Sequence, residues 1–285
     1  MTEARPRAEG QQAEEALEDI ELDLLLEGIL RRYGLDFRGY ARMSLRRRVW
    51  NMVHALKLET LSALQAKVLH DSAAMDMLLQ HLSVNTTTMF RDPTFFRAFR
   101  EQVVPHLFSA PFVRIWHAGC STGEEVYSLA ILLHEVGLYE RSRIYATDMN
   151  VAVVERAKSG IFPLEHMREY TSNYMRAGGS AAFSDYYTAN YDHAIFKASL
   201  RKNVVFAQHN LVSDGTFNEF NVVLCRNVLI YFGAPLQARV HRLLHQSLRR
   251  FGVLVLGRGE TLRHTVLEND YDEVDAEERI YRRRA

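Results

Sequence analysis

The segment Gly119-Cys120-Ser121-Thr122-Gly123-Glu124-Glu125 lies between an apolar run and a helical pattern. Glycines there permit a tight turn and close approach of the backbone to a ligand. A phosphate-binding loop requires Lys after its second glycine, but Glu124 occupies that place. A dinucleotide loop requires a third glycine, and two carboxylates would repel a pyrophosphate. Two readings stay open. Acids in a first helical turn favour the helix dipole, so the segment can be a well-capped helix. It can also receive a cationic ligand, and S-adenosylmethionine, with a sulfonium, an ammonium and no phosphate, has the right charge.

Asp148 follows the next apolar run, 25 residues after Gly123. An acid there can accept both hydroxyls of a ribose, although Asp also ends strands and caps helices. In Cys225-Arg226-Asn227-Val228-Leu229-Ile230-Tyr231-Phe232 an Arg-Asn pair directly follows an apolar strand. It falls at the sheet edge where ligands bind, or it is a turn residue beside a surface charge. The polar stretch Asn85 to Arg91 is a linker, or it folds over a cleft and presents Arg91 to an anion.

These segments need elements to hold them. From Val113 on, strand-like runs at 113–116, 143–147, 203–207, 221–225 and 252–257 alternate with helical patterns at 124–136, 151–159 and 235–251. That alternation predicts a mostly parallel sheet with helices on both faces, and a last hairpin arm over 273–283. The stretch 180–200, rich in Tyr and Phe, breaks the rhythm as an insertion. Upstream the pattern is helical only. Leu22, Leu25, Leu26, Ile29 and Leu30 recur at helical spacing before Gly34. A second helix is expected from Ser44, with Leu45, Val49, Met52, Val53 and Leu56 on one stripe and Arg46, Arg47 and Arg48 largely off it. Two more helices follow, before Asp92-Pro93 starts another, with Asp92 as its cap and Pro93 in the first turn.

The chain has 285 residues, 35 basic and 35 acidic, so its formal net charge is zero. That argues against a generally basic nucleic-acid binder. Two cysteines are too few for a disulfide scaffold or a cysteine-rich metal site, and suit a reducing, cytoplasmic setting. No run is long and apolar enough to span a membrane. The polar N-terminus is no secretory signal and reads as a disordered tail over 1–18, with a solvated helix near its end as the alternative.

Taken together, these motifs resemble the CheR-type chemotaxis receptor methyltransferases. The resemblance rests on Asn85-Thr86-Thr87-Thr88-Met89-Phe90-Arg91, Ala118 to Glu125, Ala146-Thr147-Asp148, His209-Asn210-Leu211 and Cys225 to Phe232. Tyr33-Gly34-Leu35-Asp36-Phe37, Tyr40 and the Arg-rich helix add to it. It covers about 20–285. It implies an α/β fold: a class I S-adenosylmethionine-dependent methyltransferase (Rossmann-like) domain with a small inserted β-subdomain, preceded by a small all-α domain. The expected boundaries are 19–90 for the helical domain, 91–107 for a linker helix and 108–285 for the methyltransferase domain, with the insertion at about 178–202.

The resemblance also implies roles. Asn85, Thr87 and Arg91 reach the cofactor from the linker side. Gly119 and Gly123 form its loop, and Glu125 meets its methionine part, with Glu124 as the alternative. Asp148 takes the ribose, Asn210 and Leu211 flank the adenine, and Asn227 and Val228 line the cleft. Arg91 and Tyr231 are the expected catalytic residues. No metal is expected. The substrate would be glutamate side chains on chemoreceptor cytoplasmic helices, met by Arg46, Arg47 and Arg48, and the product S-adenosylhomocysteine. A monomer without nucleic-acid or membrane partners is expected. Some members dock a receptor C-terminal pentapeptide through a proline-containing loop of the β-subdomain. Here Arg176 to Phe183 lacks that proline and is longer, which suggests pentapeptide independence. Gly257-Arg258-Gly259-Glu260-Thr261 replaces the usual glycine-histidine-serine-glutamate. Two alternatives stay open: methylation of another signalling protein, and a non-catalytic cofactor-binding adaptor.

Overall fold

The computed structural model describes the backbone of residues 5–83 and 87–285, and side chains from Glu14 on. Among these, no helix is long and apolar enough to cross a membrane. The chain divides into two compact units.

The first unit comprises four helices and the later segment Tyr231–Leu236. Helix α1 spans Arg5–Tyr33, α2 Arg42–Ala55, α3 Leu61–His70 and α4 Ser72–Leu82. Helix α1 shortens the expected tail, because the helix allowed near its end begins as early as Arg5. The stretch is rich in Ala, Glu and Gln, which have high helix propensity. Its polarity suggested disorder, yet polarity does not oppose helix formation. Helix α2 starts two residues before Ser44, and its N-cap Ala41 makes no side-chain cap bond. Thr60 and Asp71 do cap, accepting from Ala63 N and Ala73 N. Leu22, Leu25, Leu26 and Ile29 of α1 are buried, as are Leu61, Leu64 and Val68 of α3. The segment after Phe37 is tied to the 231–236 segment by backbone bonds, Ala41 N to Tyr231 O at 2.9 Å and Gly233 N to Gly39 O at 2.8 Å.

The second unit holds the sheets. Helix α5 (Pro93–Ala98) runs through a wide turn at Phe99–Val103 into α6 (Val104–Leu107). This is the expected linker helix, but Phe95, Phe96, Phe99 and Val103 are fully buried in the main core of this unit. The strands β1 (Val113–Ala118) and β2 (Ser142–Asp148) flank helix α7 (Glu124–Glu135) in the chain, and α8 (Val151–Ser159) follows β2. Then come β3 (Ile161–Pro163), α9 (Met167–Arg176), β4 (Tyr187–Asn190) and β5 (His193–Phe196). The chain continues with β6 (Val204–Gln208), β7 (Phe220–Cys225), α10 (Ala234–Ser247), β8 (Leu248–Leu256), β9 (Tyr271–Asp275) and β10 (Ile280–Arg283).

The larger sheet, of the described residues, has the order β6-β2-β1-β7-β8-β10-β9. β6, β2, β1, β7 and β8 are parallel, and β10 is antiparallel to β8 and β9. The chain winds outward from β1 to β6, then returns to place β7 on the other side of β1. Ligands bind at such a switch point, beyond the carboxyl ends of the strands.

The second sheet, β3-β5-β4, is the inserted subdomain. It starts earlier than 178, since Ile161 pairs with Ile195. A three-residue strand ended by Pro163, with its partner 34 residues later, leaves no periodic signal. Similarly, β8 begins at Leu248, so the helix expected to reach 251 ends at Ser247. Phe251 has a positive φ of 60°, and a Cβ on Gly252 would come within 2.8 Å of Leu248 Cγ. That kink breaks the alternation a strand would show.

Glu135, at the end of α7, holds the subdomain in place. It ion-pairs with Arg100 and accepts from Tyr174 Oη, from Ser180 N at 3.0 Å and from Tyr186 Oη at 3.2 Å. Burial works against its charge, but these donors outweigh it and lower its pKa. Removing it leaves a half-buried guanidinium and several donors unpaired. Glu135→Ala is expected to lose about 3 kcal/mol in chemical denaturation. A loss under about 0.5 kcal/mol would place this network among surface interactions.

Candidate active site

The site forms where β1, β2 and β7 end. After β1 the chain turns sharply, and Gly119 N and Cys120 N both donate to Thr147 O of β2, at 2.8 and 2.9 Å. Gly119 has φ 77°, and a Cβ there would lie 2.5 Å from Val228 Cγ2. Gly123 has φ 96°, and a Cβ would lie 2.8 Å from Ala157 Cβ of α8. Both positions therefore need glycine twice over, for backbone conformation and for space.

The two acids that follow are both buried but differ in surroundings. Glu124 accepts from Thr122 Oγ1 at 2.6 Å, and burial raises its pKa. Glu125 lies in a charge network. His117 Nε2 is 3.0 Å from Oε1, and the Arg226 guanidinium pairs with Oε2. Arg226 also donates to Asp92 Oδ2 at 2.7 Å, and its guanidinium carbon lies 4.0 Å over the Phe95 ring. Burial acts to raise the Glu125 carboxyl. Arg226 first, then His117 and Arg91, outweigh it and bring its pKa down to about 2. Asp92 was expected to cap α5. It makes no cap bond, and its carboxylate goes to Arg226 instead.

Asp148 ends β2. Its Oδ2 accepts from Ser121 N at 3.0 Å and its Oδ1 from Asn150 N at 3.1 Å. A carboxylate has about four lone-pair sites, so beside these backbone donors it can still accept from a ligand hydroxyl. Asp148 O accepts from His209 N at 3.1 Å, which sets the buried Asn210 and Leu211 beside the end of β2. Asn210 N donates to Asp214 Oδ2 at 2.8 Å, and Asn210 Oδ1 accepts from Val212 N at 2.9 Å.

The loop after β7 is held by Glu260, which sequence reasoning did not select. Its Oε1 accepts from Val228 N at 2.8 Å, Leu229 N at 2.7 Å and Ile230 N at 3.3 Å. Its Oε2 accepts from Asn227 N at 3.0 Å and Gly257 N at 2.5 Å. One carboxylate thus fixes the backbone of 227–230. It also lets Asn227 adopt a positive φ of 59°, a conformation costly to most side chains. Burial still raises the Glu260 carboxyl, against the pull of these N–H groups. The sequence places Arg226 at the sheet edge or on the surface, whereas it lies in a buried charge network. An Arg directly after an all-apolar strand was the available signal for it, as an Asp or Glu after a late glycine turn was for Glu260.

The second unit therefore brings together Gly119, Gly123, Glu125, Asp148, Asn210, Leu211, Asn227 and Val228, with Arg91 near enough to Glu125 to lower its pKa. Thr87 is half-buried in the same unit. Asn85 lies outside the described residues. Tyr231 belongs to the helical unit, with its ring centroid 4.3 Å from the Arg48 guanidinium carbon.

That contact corrects the reading of the Arg-rich helix. Arg48 is buried and donates to Leu82 O at 2.5 Å. Arg46 is half-buried and paired with Glu18. Only Arg47 of the three is exposed. Arg48 follows Leu45 by three residues and precedes Met52 by four, so it falls on the buried face. A long side chain can lie there if its head finds a carbonyl and a ring.

The site suits a nucleoside with a cationic rather than a phosphate-bearing arm. Carboxylates line the loop, two glycines leave room beside the backbone, and Asp148 offers an acceptor to a hydroxyl. These features, on a sheet with its switch between β1 and β7, fit a nucleoside-binding domain of the Rossmann-like class.

Comparison with known proteins agrees. The model of the CheR methyltransferase, SAM binding domain, matches residues 85–278, and that of the CheR methyltransferase, all-alpha domain, matches 20–83. The chain is 48% identical to the Pseudomonas putida protein Cher3 over 265 residues, 93% of this chain and 97% of that one. It is 30% identical to a chemotaxis protein methyltransferase of Listeria monocytogenes, over 86% of this chain and 92% of that one. The chain belongs to the CheR methyltransferase family, and its cofactor is S-adenosylmethionine.

Burial raises the Asp148 carboxyl above its ordinary range, against the backbone N–H groups of Asn150, Ser121 and Met149. A raised carboxyl takes up its proton at higher pH, and the proton removes acceptor capacity. Affinity for S-adenosylhomocysteine is therefore full well above the raised pKa and falls as pH drops through it. Calorimetric titration should show this acid limb in the parent protein. Asp148→Asn should bind about 10–100-fold more weakly at neutral pH, with the acid limb flattened. Equal affinity in the variant would remove Asp148 from the ribose site.

Proposed function

We propose that this protein transfers a methyl group to glutamate side chains on the cytoplasmic helices of a chemoreceptor, forming methyl esters. The observation that carries this is the charge network of Arg226, Glu125, Asp92 and His117 in a site whose family methylates. It fixes the loop of a sulfonium cofactor, and its imidazole, His117, is buried against Glu125 rather than left exposed to act as a general base. A glutamate nucleophile needs none, because it is already ionised near neutral pH.

The cofactor, when bound, supplies a methyl group on a sulfonium. The protein aligns, holds and shields. Glu125 is kept as an anion beside the cationic arm, and Asp148 orients the ribose. Glu260 fixes the loop wall carrying Asn227 and Val228. Arg91 can orient the substrate carboxylate, at the cost of some nucleophilicity, and exclusion of water from an aligned pair supplies much of the rate. Tyr231 serves in the same reading as a substrate-orienting hydroxyl.

The substrate contact assigned to the helical unit rests on Arg47, the exposed member of its trio, with Arg46 available when its partner Glu18 is displaced. Arg48 is a packing residue. Pentapeptide independence is supported by the 176–183 loop. A Cβ on Gly179 would fall 2.2 Å from Tyr174 Cζ, so the loop packs directly against that ring.

The test uses cofactor labelled in its methyl group and a receptor cytoplasmic fragment, with and without a C-terminal pentapeptide. Expected is label on the fragment that mild base releases as methanol, with equal kcat/KM for both fragments. Arg47→Glu should raise KM several-fold, increasingly at low salt, with kcat unchanged. Base-stable label, or no transfer to the fragment, would overturn the glutamate assignment. A strong preference for the pentapeptide would overturn independence.

A further inference from the structure

Both chain neighbours of Arg91 hold a backbone conformation that residues other than glycine rarely adopt. Phe90 has φ 52° and Asp92 has φ 54°. Phe90 is the third residue of a turn closed by Arg91 N, which donates to Thr88 O at 3.3 Å. With a positive φ, that place favours Gly or Asn, and a bulky side chain there is strained. Strain of this kind persists only where the surroundings over-determine it, and it gathers at functional segments.

Around 88–92 the tethers run residue by residue. Thr88 Oγ1 donates to Glu169 Oε1 at 3.0 Å, and Met89 O accepts from Asn173 Nδ2 at 3.1 Å. Glu169 and Asn173 lie four residues apart on α9, so they share a face. Phe90 N donates to Ser128 Oγ at 2.8 Å, and that hydroxyl gives its own proton to Glu124 O at 2.7 Å. The Phe90 ring is fully buried, its centroid 4.9 Å from that of Phe96 and 5.2 Å from that of Tyr174. Asp92 is held by Arg226. Glycine at position 90 would relieve the backbone but would lose the buried ring that anchors the turn.

We propose that Ser128 and Asn173 are positioning residues for Arg91, locking the 88–92 segment in its strained form. A hydroxyl that back-bonds to the carbonyl four residues earlier is ordinary in a helix, but here its acceptor side is matched to Phe90 N. Ser128 is fully buried and lies one turn beyond Glu124, on the helix that begins at the cofactor loop. Its bond therefore sets the segment in register with that loop, and Asn173 holds the adjoining carbonyl from α9. Relaxation of φ at 90 or 92 to an ordinary negative value would redirect the chain on one side of Arg91. The inference rests on the reading of Arg91 as the group that orients the substrate carboxylate.

Two measurements on the full chain test this. The first is hydrogen exchange, which reads the lock without any substrate. Amides of 88–92 should exchange at least about tenfold faster in Ser128→Ala and in Asn173→Ala than in the parent. Unchanged protection in both variants would overturn the proposal. The second is a double-mutant cycle on methyl transfer to the receptor fragment. Each variant should lower kcat about tenfold and change KM less than about twofold, because alignment rather than affinity is lost. In an Arg91→Ala background, followed in single turnovers with enzyme in excess, each should lower the rate less than about twofold, since the group it positions is gone. Any loss of stability in chemical denaturation should be the same in both backgrounds, so a merely structural role would also slow both equally. Effects that multiply in the double variants would overturn the positioning role and leave the reading of Arg91 standing. An Arg91→Ala variant as fast as the parent would overturn that reading, and the positioning role with it.

Discussion

A guanidinium out of water sets the terms for the rest of this site. The Arg226 side chain is 1% exposed, a position that destabilises an unpaired charge by several kcal/mol. Its environment answers with two carboxylates and an aromatic face: Glu125 from the first turn of α7, Asp92 from the turn before α5, and Phe95 beneath. Three stretches of chain, at positions 92, 125 and 226, must meet for that arrangement to exist. They are the stretches that the cofactor loop, the polar segment after residue 86 and the post-β7 loop belong to. The pair also fixes the charge of Glu125, whose pKa falls to about 2 although burial opposes it.

The rest of the site follows from a similar rule. Buried carboxylates here each hold backbone or side-chain donors. Asp148 ties the glycine turn to the end of β2, and Glu260 gathers the N–H groups of Asn227, Val228, Leu229, Ile230 and Gly257. Acids in this site are therefore parts of the scaffold as well as ligand contacts. Preorganisation of this kind suits a reaction in which the nucleophile is already charged and alignment supplies the rate.

Much of this was legible in the sequence because its signals are local. Strand-helix alternation gave the parallel sheet, and glycines at 119 and 123 marked the turn. What stayed hidden depends on distant partners. Ile161–Pro163 is a strand only because Ile195 pairs with it. Arg48 reads as one of three surface arginines until Leu82 O and the Tyr231 ring receive it. Asp92 looks like a helix cap until Arg226 competes for it. Arg226 and Glu260 were in view as members of motifs. Their roles lie in which charges and N–H groups converge on them, which spacing along one chain does not encode. Helix α1 illustrates the opposite error, where polar composition suggested a mainly disordered tail in a segment whose Ala, Glu and Gln favour helix.

The central claim is that Arg226 assembles the cofactor site by holding Glu125 and Asp92 together. The direct measurement is calorimetric titration of Arg226→Gln with S-adenosylhomocysteine, beside the parent protein, on samples shown to be folded by circular dichroism. The account predicts a loss of affinity of about 100-fold or more, because Glu125 is then a buried carboxylate without its strongest partner. A folded variant that binds as tightly as the parent would contradict it.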